Sequence, residues 1–206
     1  PQREQQFFKA LCDHYEKKNW KRALKSADQI LESFPNHGDT LSMRGLVLYG
    51  NPDTKKESAK EALDLIKTGL VKSGFKSHIC WHVYGLYHRG EKNWTEAVRC
   101  YKKALELQPD NEQLMRDMAN MQAHIRDLKG LLDTRRKLLQ MKPGMNINWT
   151  QLAVAADLAG EKALAADVLS RHLQILANNA PSLRAQEEEQ DKNPKRDADG
   201  KPPAPE

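Results

Sequence analysis

The chain has 206 residues, 39% hydrophobic and 30% charged, with no apolar run approaching a membrane span, so a soluble, helix-rich body with a sizeable core is expected. Three cysteines (Cys12, Cys80 and Cys100) are too few and too scattered for a disulfide framework and fit a reducing compartment. The net charge is +5, and because residues 181–206 are net acidic, residues 1–180 carry +7, a balance that favours acidic partners such as RNA without requiring one.

Ten helices are predicted, at roughly 5–18, 20–34, 37–50, 56–73, 77–90, 93–108, 111–125, 127–142, 146–159 and 161–178. They recur with a fixed period. The small residue of every second helix falls at Ala23, Ala62, Ala97, Leu131 and Ala165, in steps of 39, 35, 34 and 34 residues. The residues that end the units, Pro35, Gly74, Pro109, Pro143 and Ala177, give the same four steps. A period near 34 is the signature of the tetratricopeptide (TPR) repeat. The inner turn at 51–56 carries the insertion that lengthens the second unit. The predicted fold is therefore all-α. Five antiparallel hairpins, at about 5–36, 37–75, 77–110, 111–144 and 145–178, form a right-handed superhelical solenoid over residues 1–180.

The stretch 80–109 is the clearest copy, with Trp81, Tyr84, Gly85, Ala97, Tyr101, Ala104 and Pro109 at the repeat positions. Gly85 and Ala97 are small where two helices approach closely. Trp81, Tyr84 and Tyr101 fill the space between hairpins, and Pro109 closes the unit because it cannot continue a helix. Residues 181–206 differ in kind. They hold 12 charges, no aromatic residue and a Pro-rich end, so they are expected to be a disordered linker or tail beginning after residue 180. No secretory leader heads the chain, and the first residue is Pro1 and not a starting Met, so Pro1 is expected to be the cut end of a longer chain.

No phosphate-binding glycine loop, nucleophile elbow or HExxH pattern occurs in the sequence. His78 and His82 sit one helical turn apart, but Cys80 between them points to another face, so no metal site is expected. Met115, Met118, Met121 and Met141 read as core, and His14, His37, His124 and His172 as surface or helix-end residues. The basic runs are more informative. Lys17, Lys18, Lys21, Arg22 and Lys25 surround the first inner turn, and Lys55, Lys56 and Lys60 the second. Both turns lie on one edge of a solenoid, where a row of cations matches a phosphate backbone. Charge alone slightly favours an ordinary solvated face, partly neutralised by Glu57 and Glu61. Arg135, Arg136 and Lys137 form a third, isolated group.

Four segments carry more than the repeat demands: HGDTLSMRGLVL (37–48), KSHICWHVYGLYHR (76–89), WTEAVRCYKKALELQPDNEQLMRDM (94–118) and RDLKGLLDTRRKLLQMKPG (126–144). From about Phe7 to about Leu176 the chain resembles the N-terminal TPR region of the auxiliary subunits of the N-terminal acetyltransferase A (NatA) complex. The resemblance implies a scaffold without catalysis of its own. A catalytic acetyltransferase partner would use acetyl-CoA, and this chain would carry no cofactor. It implies a cytoplasmic, ribosome-associated protein that binds neither membrane nor small-molecule substrate. It also implies ribosome or rRNA contacts in these repeats, which selects the RNA-facing reading of Lys17, Lys18, Lys21, Arg22, Lys25, Lys55 and Lys56. The alternative is a TPR adaptor of the co-chaperone kind, gripping acidic peptide C-termini. The positions such a grip uses are His82, Leu86, Arg116, Asn120 and Gln151, a partial match.

Overall fold

The computed structural model describes residues 2–53 and 55–192, with side chains described for 5–53 and 57–179. Among the described residues ten α-helices follow one another: α1 (Gln2–Glu16), α2 (Trp20–Ser33), α3 (Gly38–Gly50), α4 (Lys55–Lys72), α5 (His78–Gly90), α6 (Trp94–Leu107), α7 (Glu112–His124), α8 (Leu128–Met141), α9 (Asn146–Leu158) and α10 (Lys162–Lys192). Among the described residues there is no strand. The chain divides into two compact units, Pro1–Leu138 and Leu139–Glu206, where the sequence suggests one array to residue 180.

In the first unit each hairpin packs on the next, with α2 against α3, α4 against α5 and α6 against α7. The helices start where side chains can cap them. His37, Ser77, Asn93 and Asn111 accept hydrogen bonds from the backbone N–H groups of Thr40, Cys80, Glu96 and Leu114. On α2 the buried residues are Ala23, Ser26, Ala27 and Ile30, one helical stripe. Helix α3 is buried on most sides because α1, α2, α4 and α5 all touch it.

The α3–α4 hairpin is the tightest. A Cβ on Gly45 would stand 2.6 Å from the Ala62 carbonyl oxygen, and one on Gly38 would stand 2.6 Å from that of Gly69. Glycine is required here by backbone-to-backbone approach. One core cluster gathers Leu11, Ala23, Ala27, Met43, Leu46, Val47, Ala62, Ile66 and Val83, with Tyr84 and Leu86 packed against it. A second gathers Ala97, Val98, Tyr101, Ala104, Leu114, Met118 and Met121, with Trp81 at its margin. Gly85 faces Cys100 and Tyr101, where a Cβ would lie 3.3 Å from each. Pro109 is exposed, just beyond the end of α6.

In the second unit Leu152, Ala153, Ala155, Ala156, Ala165 and Val168 are buried. Two expectations are corrected here. His172 is not a surface residue: it is 6% exposed and its ring stacks on Trp149 at 5.6 Å. Its position lies one period after Leu138, itself buried, so a histidine occupies a core site of the repeat. Helix α10 also runs on to Lys192, so residues 181–192 are helical where disorder is expected from 181. Leu183, Arg184, Ala185, Gln186 and Glu187 to Glu189 are strong helix formers with no glycine among them, a propensity that the burial argument ignores. Residues 193–206 lie outside the described residues.

Candidate nucleic-acid interface

The first inner turn is closed by Lys18 in the left-handed conformation, φ +56°. Its N–H bonds the Tyr15 carbonyl at 2.9 Å and the Asn19 N–H bonds that of His14 at 2.8 Å, an arrangement that usually employs glycine. A non-glycine residue costs about 1 kcal/mol there. Lys21 and Arg22 follow in the first turn of α2, which has no acidic residue. Cations at a helix N-terminus oppose the helix dipole, so charge is placed there at some expense of stability. An open groove of about 460 Å³ is lined by Lys18, Trp20, Lys21, Arg22, Asn51 and Asp53. Lys17, Lys18, Lys21, Arg22 and Lys25 are all exposed. The groove holds one carboxylate, that of Asp53, whose backbone N–H bonds the Asn51 side chain at 3.1 Å.

The same turn recurs in the third and fourth repeats, and each time a cation occupies the left-handed position: Lys92 at φ +58° and Arg126 at φ +56°. Both are exposed. Neither lies in a run of charge, so neither stands out in the sequence. The available signal was register, since Lys18, Lys92 and Arg126 sit at equivalent places in their repeats. Nearby acids are occupied. Glu91 accepts from the Tyr49 hydroxyl at 2.7 Å, Asp127 from the Gly130 N–H at 3.0 Å, and Glu96 pairs with Arg99 at 2.6 Å. The second expected group is only partly visible: Lys60 is exposed on α4, while the side chains of Lys55 and Lys56 lie outside the described residues. Glu61, read as neutralising that group, instead meets Arg44 at 3.4 Å, and Arg44 reaches Asp28 at 3.0 Å.

The third basic group is structural. Arg135 is 8% exposed and its guanidinium bonds Asn120 Oδ1 at 3.1 Å. Arg136 pairs with Asp133 at 3.2 Å, and Lys137 Nζ donates to the Pro109 carbonyl at 3.3 Å. The positions of an acidic-peptide grip are similarly engaged. Arg116 pairs with Glu112 at 2.9 Å, His82 lies 3.7 Å from Asp117, Asn120 receives Arg135, and Leu86 packs into the core.

Asp117 ties the third and fourth repeats together. Burial works against its ionisation, yet the neighbouring His82 and Gln113 side chains and the charge of Arg89, 3.4 Å away, outweigh it and hold the carboxyl below its ordinary range. A depressed folded-state pKa contributes stability that is present above about pH 4 and lost as pH falls through the lowered value. Asp117→Asn is therefore expected to lose less stability than wild type as pH falls below about 4, read by denaturant midpoint. Parallel losses would contradict this.

The three thiols are free. Burial pushes Cys12 up to about 11 and Cys100 up to about 12, and it raises Cys80 as well, so none is a ready nucleophile. Among the described residues no three His, Cys, Asp or Glu side chains group as metal ligands, and no helix is long and apolar enough to cross a membrane.

A tetratricopeptide-repeat family model matches residues 78–111. The chain is 40% identical over 181 residues, 88% of its length, to an N-terminal acetyltransferase A complex auxiliary subunit of Arabidopsis thaliana, NAA15. It is 40% identical over 176 residues, 84% of its length, to a human NatA auxiliary subunit, N-alpha-acetyltransferase 16. It spans 20% of the length of each of these relatives. Among solved structures, one of Naa15/Naa10 bound to HypK-THB superposes with a TM-score of 0.73 at 41% identity, over 84% of this chain and 25% of that one. A MamA crystal structure shares the fold alone, with a TM-score of 0.63 at 14% identity over 87% of this chain and 94% of that one. Over the stretch that it spans, the chain has the tetratricopeptide-repeat fold and is similar along most of its length to auxiliary subunits of the N-terminal acetyltransferase A complex.

Proposed function

We propose that this chain is part of a non-catalytic scaffold of an N-terminal acetyltransferase A complex. It supports co-translational acetylation of protein N-termini by holding the catalytic subunit at the ribosome. The observation that carries this reading is the 40% identity to an auxiliary subunit across 88% of the chain. Acetyl-CoA and the transfer step belong to the catalytic partner, which the related structure pairs with Naa15 under the name Naa10. The cations at the inner turns favour the ribosomal side of the proposal, because their affinity for a phosphate backbone comes from counterion release and needs no base recognition. On this reading the protein works in the cytoplasm, associated with ribosomes. The acidic-peptide adaptor is less well supported, since the Arg116 charge is already compensated by Glu112.

Two measurements test the proposal. The chain alone, given acetyl-CoA and a serine-starting peptide, is expected to form no acetylated product. At low salt it is expected to sediment with ribosomes, and reversal of Lys17, Lys18, Lys21, Arg22 and Lys25 to Glu to weaken that association roughly tenfold or more. Turnover by the chain alone, or full retention of the variant on ribosomes, would contradict it.

A further inference from the structure

The fourth repeat lacks a side chain that its neighbours have. Trp81 and Trp149 stand two periods apart, and each indole N–H donates to a carbonyl at the preceding outer turn: Trp81 Nε1 to Phe75 at 3.0 Å, Trp149 Nε1 to Pro143 at 2.7 Å. The residue midway between the two tryptophans is Met115, and the equivalent carbonyl is that of Pro109. No indole reaches that carbonyl. Lys137 Nζ donates to it instead, at 3.3 Å.

Met115 is 2% exposed, so its shorter side chain is folded into the core and does not fill the outer space. What is left is an open groove of about 340 Å³ between α6 and α8, floored by Leu105, Met115 and Met118 and rimmed by Lys102, Glu106 and Lys137. The volume is within the range of small ligand sites. The rim is electropositive. Glu106 is paired with Lys103 at 2.7 Å, Lys137 rests on a neutral carbonyl, and Lys102 is exposed with no carboxylate at ion-pair distance among the described residues.

The geometry points to a docking site for a partner segment that inserts one aromatic side chain, tryptophan best, flanked by carboxylates. The aromatic ring supplies the bulk that Trp81 and Trp149 supply in their own repeats. Aromatic side chains bury about 150–250 Å² each, and methionine adapts its shape and places a polarisable sulfur against a ring. Lys102 and Lys137 meet the flanking acids, and an ammonium beside the ring adds a cation–π attraction. The site is independent of the inner-turn cations and of the ribosomal reading.

The probe is a capped, labelled five-residue peptide with one tryptophan between two aspartates and two glutamates, titrated against the chain by fluorescence anisotropy. Wild type is expected to bind it at least tenfold more tightly than the same peptide with alanine for tryptophan. Met115→Trp fills the groove from within and is expected to weaken binding about tenfold. The double variant Lys102→Glu, Lys137→Glu, changed only at exposed positions, is expected to weaken binding by a similar factor without touching the core. Equal binding of the tryptophan and alanine peptides, undiminished binding by either variant, or no binding at millimolar peptide would overturn the proposal. So would a preference for leucine over tryptophan. Self-association of the chain that Met115→Trp abolishes would assign the groove to a second copy and overturn it as well.

Discussion

Gly69→Ala is expected to lower stability by about 3 kcal/mol, although alanine is the better helix former by about 1 kcal/mol. A methyl group at this position would fall on Ser42 Oγ and on the Gly38 carbonyl, with the Ser42 nitrogen at 2.8 Å. Two of those three atoms are backbone, so no rotamer change relieves the overlap, and α3 and α4 must separate. The α3–α4 hairpin would open where it is most tightly packed, and Gly38 and Gly45, which face α4 in the same way, would lose their close approach. Gly144→Ala is the control. A Cβ there meets nothing within 4 Å, so the substitution is expected to be neutral or to stabilise by about 0.5 kcal/mol through the unfolded chain. For a chain of this size the Gly69 variant should melt roughly 6–12 °C lower. Equal midpoints for the two variants would show that the hairpin is not closed as described.

The second large effect concerns Tyr101, which is fully buried beneath Gly85 and His82. Tyr101→Ala removes a ring at the centre of the second cluster and is expected to cost about 4 kcal/mol. Tyr101→Phe is expected to behave in the opposite way. The hydroxyl is buried and has no hydrogen-bond partner among the described residues, and burial first, then the nearby Asp117 carboxylate, disfavour its ionisation. Losing an unsatisfied polar group is neutral or stabilising by up to about 1 kcal/mol. Denaturant midpoints for both variants distinguish packing from polarity. A loss of more than about 2 kcal/mol for Tyr101→Phe would mean that the hydroxyl has a partner that this account does not give it.

Much of this fold is legible in the sequence because the repeat states its period twice, in small residues and in terminators. That double register places helix ends such as those of α3, α6 and α9 within a residue of where they fall. What is not legible has specific causes. A buried histidine looks like a surface one unless its repeat position is compared with Ile30, Ala104 and Leu138, and only then does His172 read as core. The end of α10 is not legible because the composition of residues 181–192 opposes burial while much of it favours helix. The cationic edge is half legible. The run at Lys17 to Lys25 is visible as charge, whereas Lys92 and Arg126 are single residues whose significance lies in a left-handed backbone that no composition reveals. Conversely, Arg135 to Lys137 look like a patch in sequence, but each is committed to a neighbour in the fold.

The claim on which the functional account rests is that the inner-turn cations contact a phosphate backbone. Its most direct test is the affinity of the chain for ribosomal RNA across a salt series, comparing wild type with Lys92→Ala, Arg126→Ala and with the variant in which all five cations of the first turn are alanine. The account predicts a steep negative slope of log affinity against log salt, reduced by roughly one for each contacting cation removed, hence by about two in the double variant and more in the other. Identical slopes for all three proteins would contradict it.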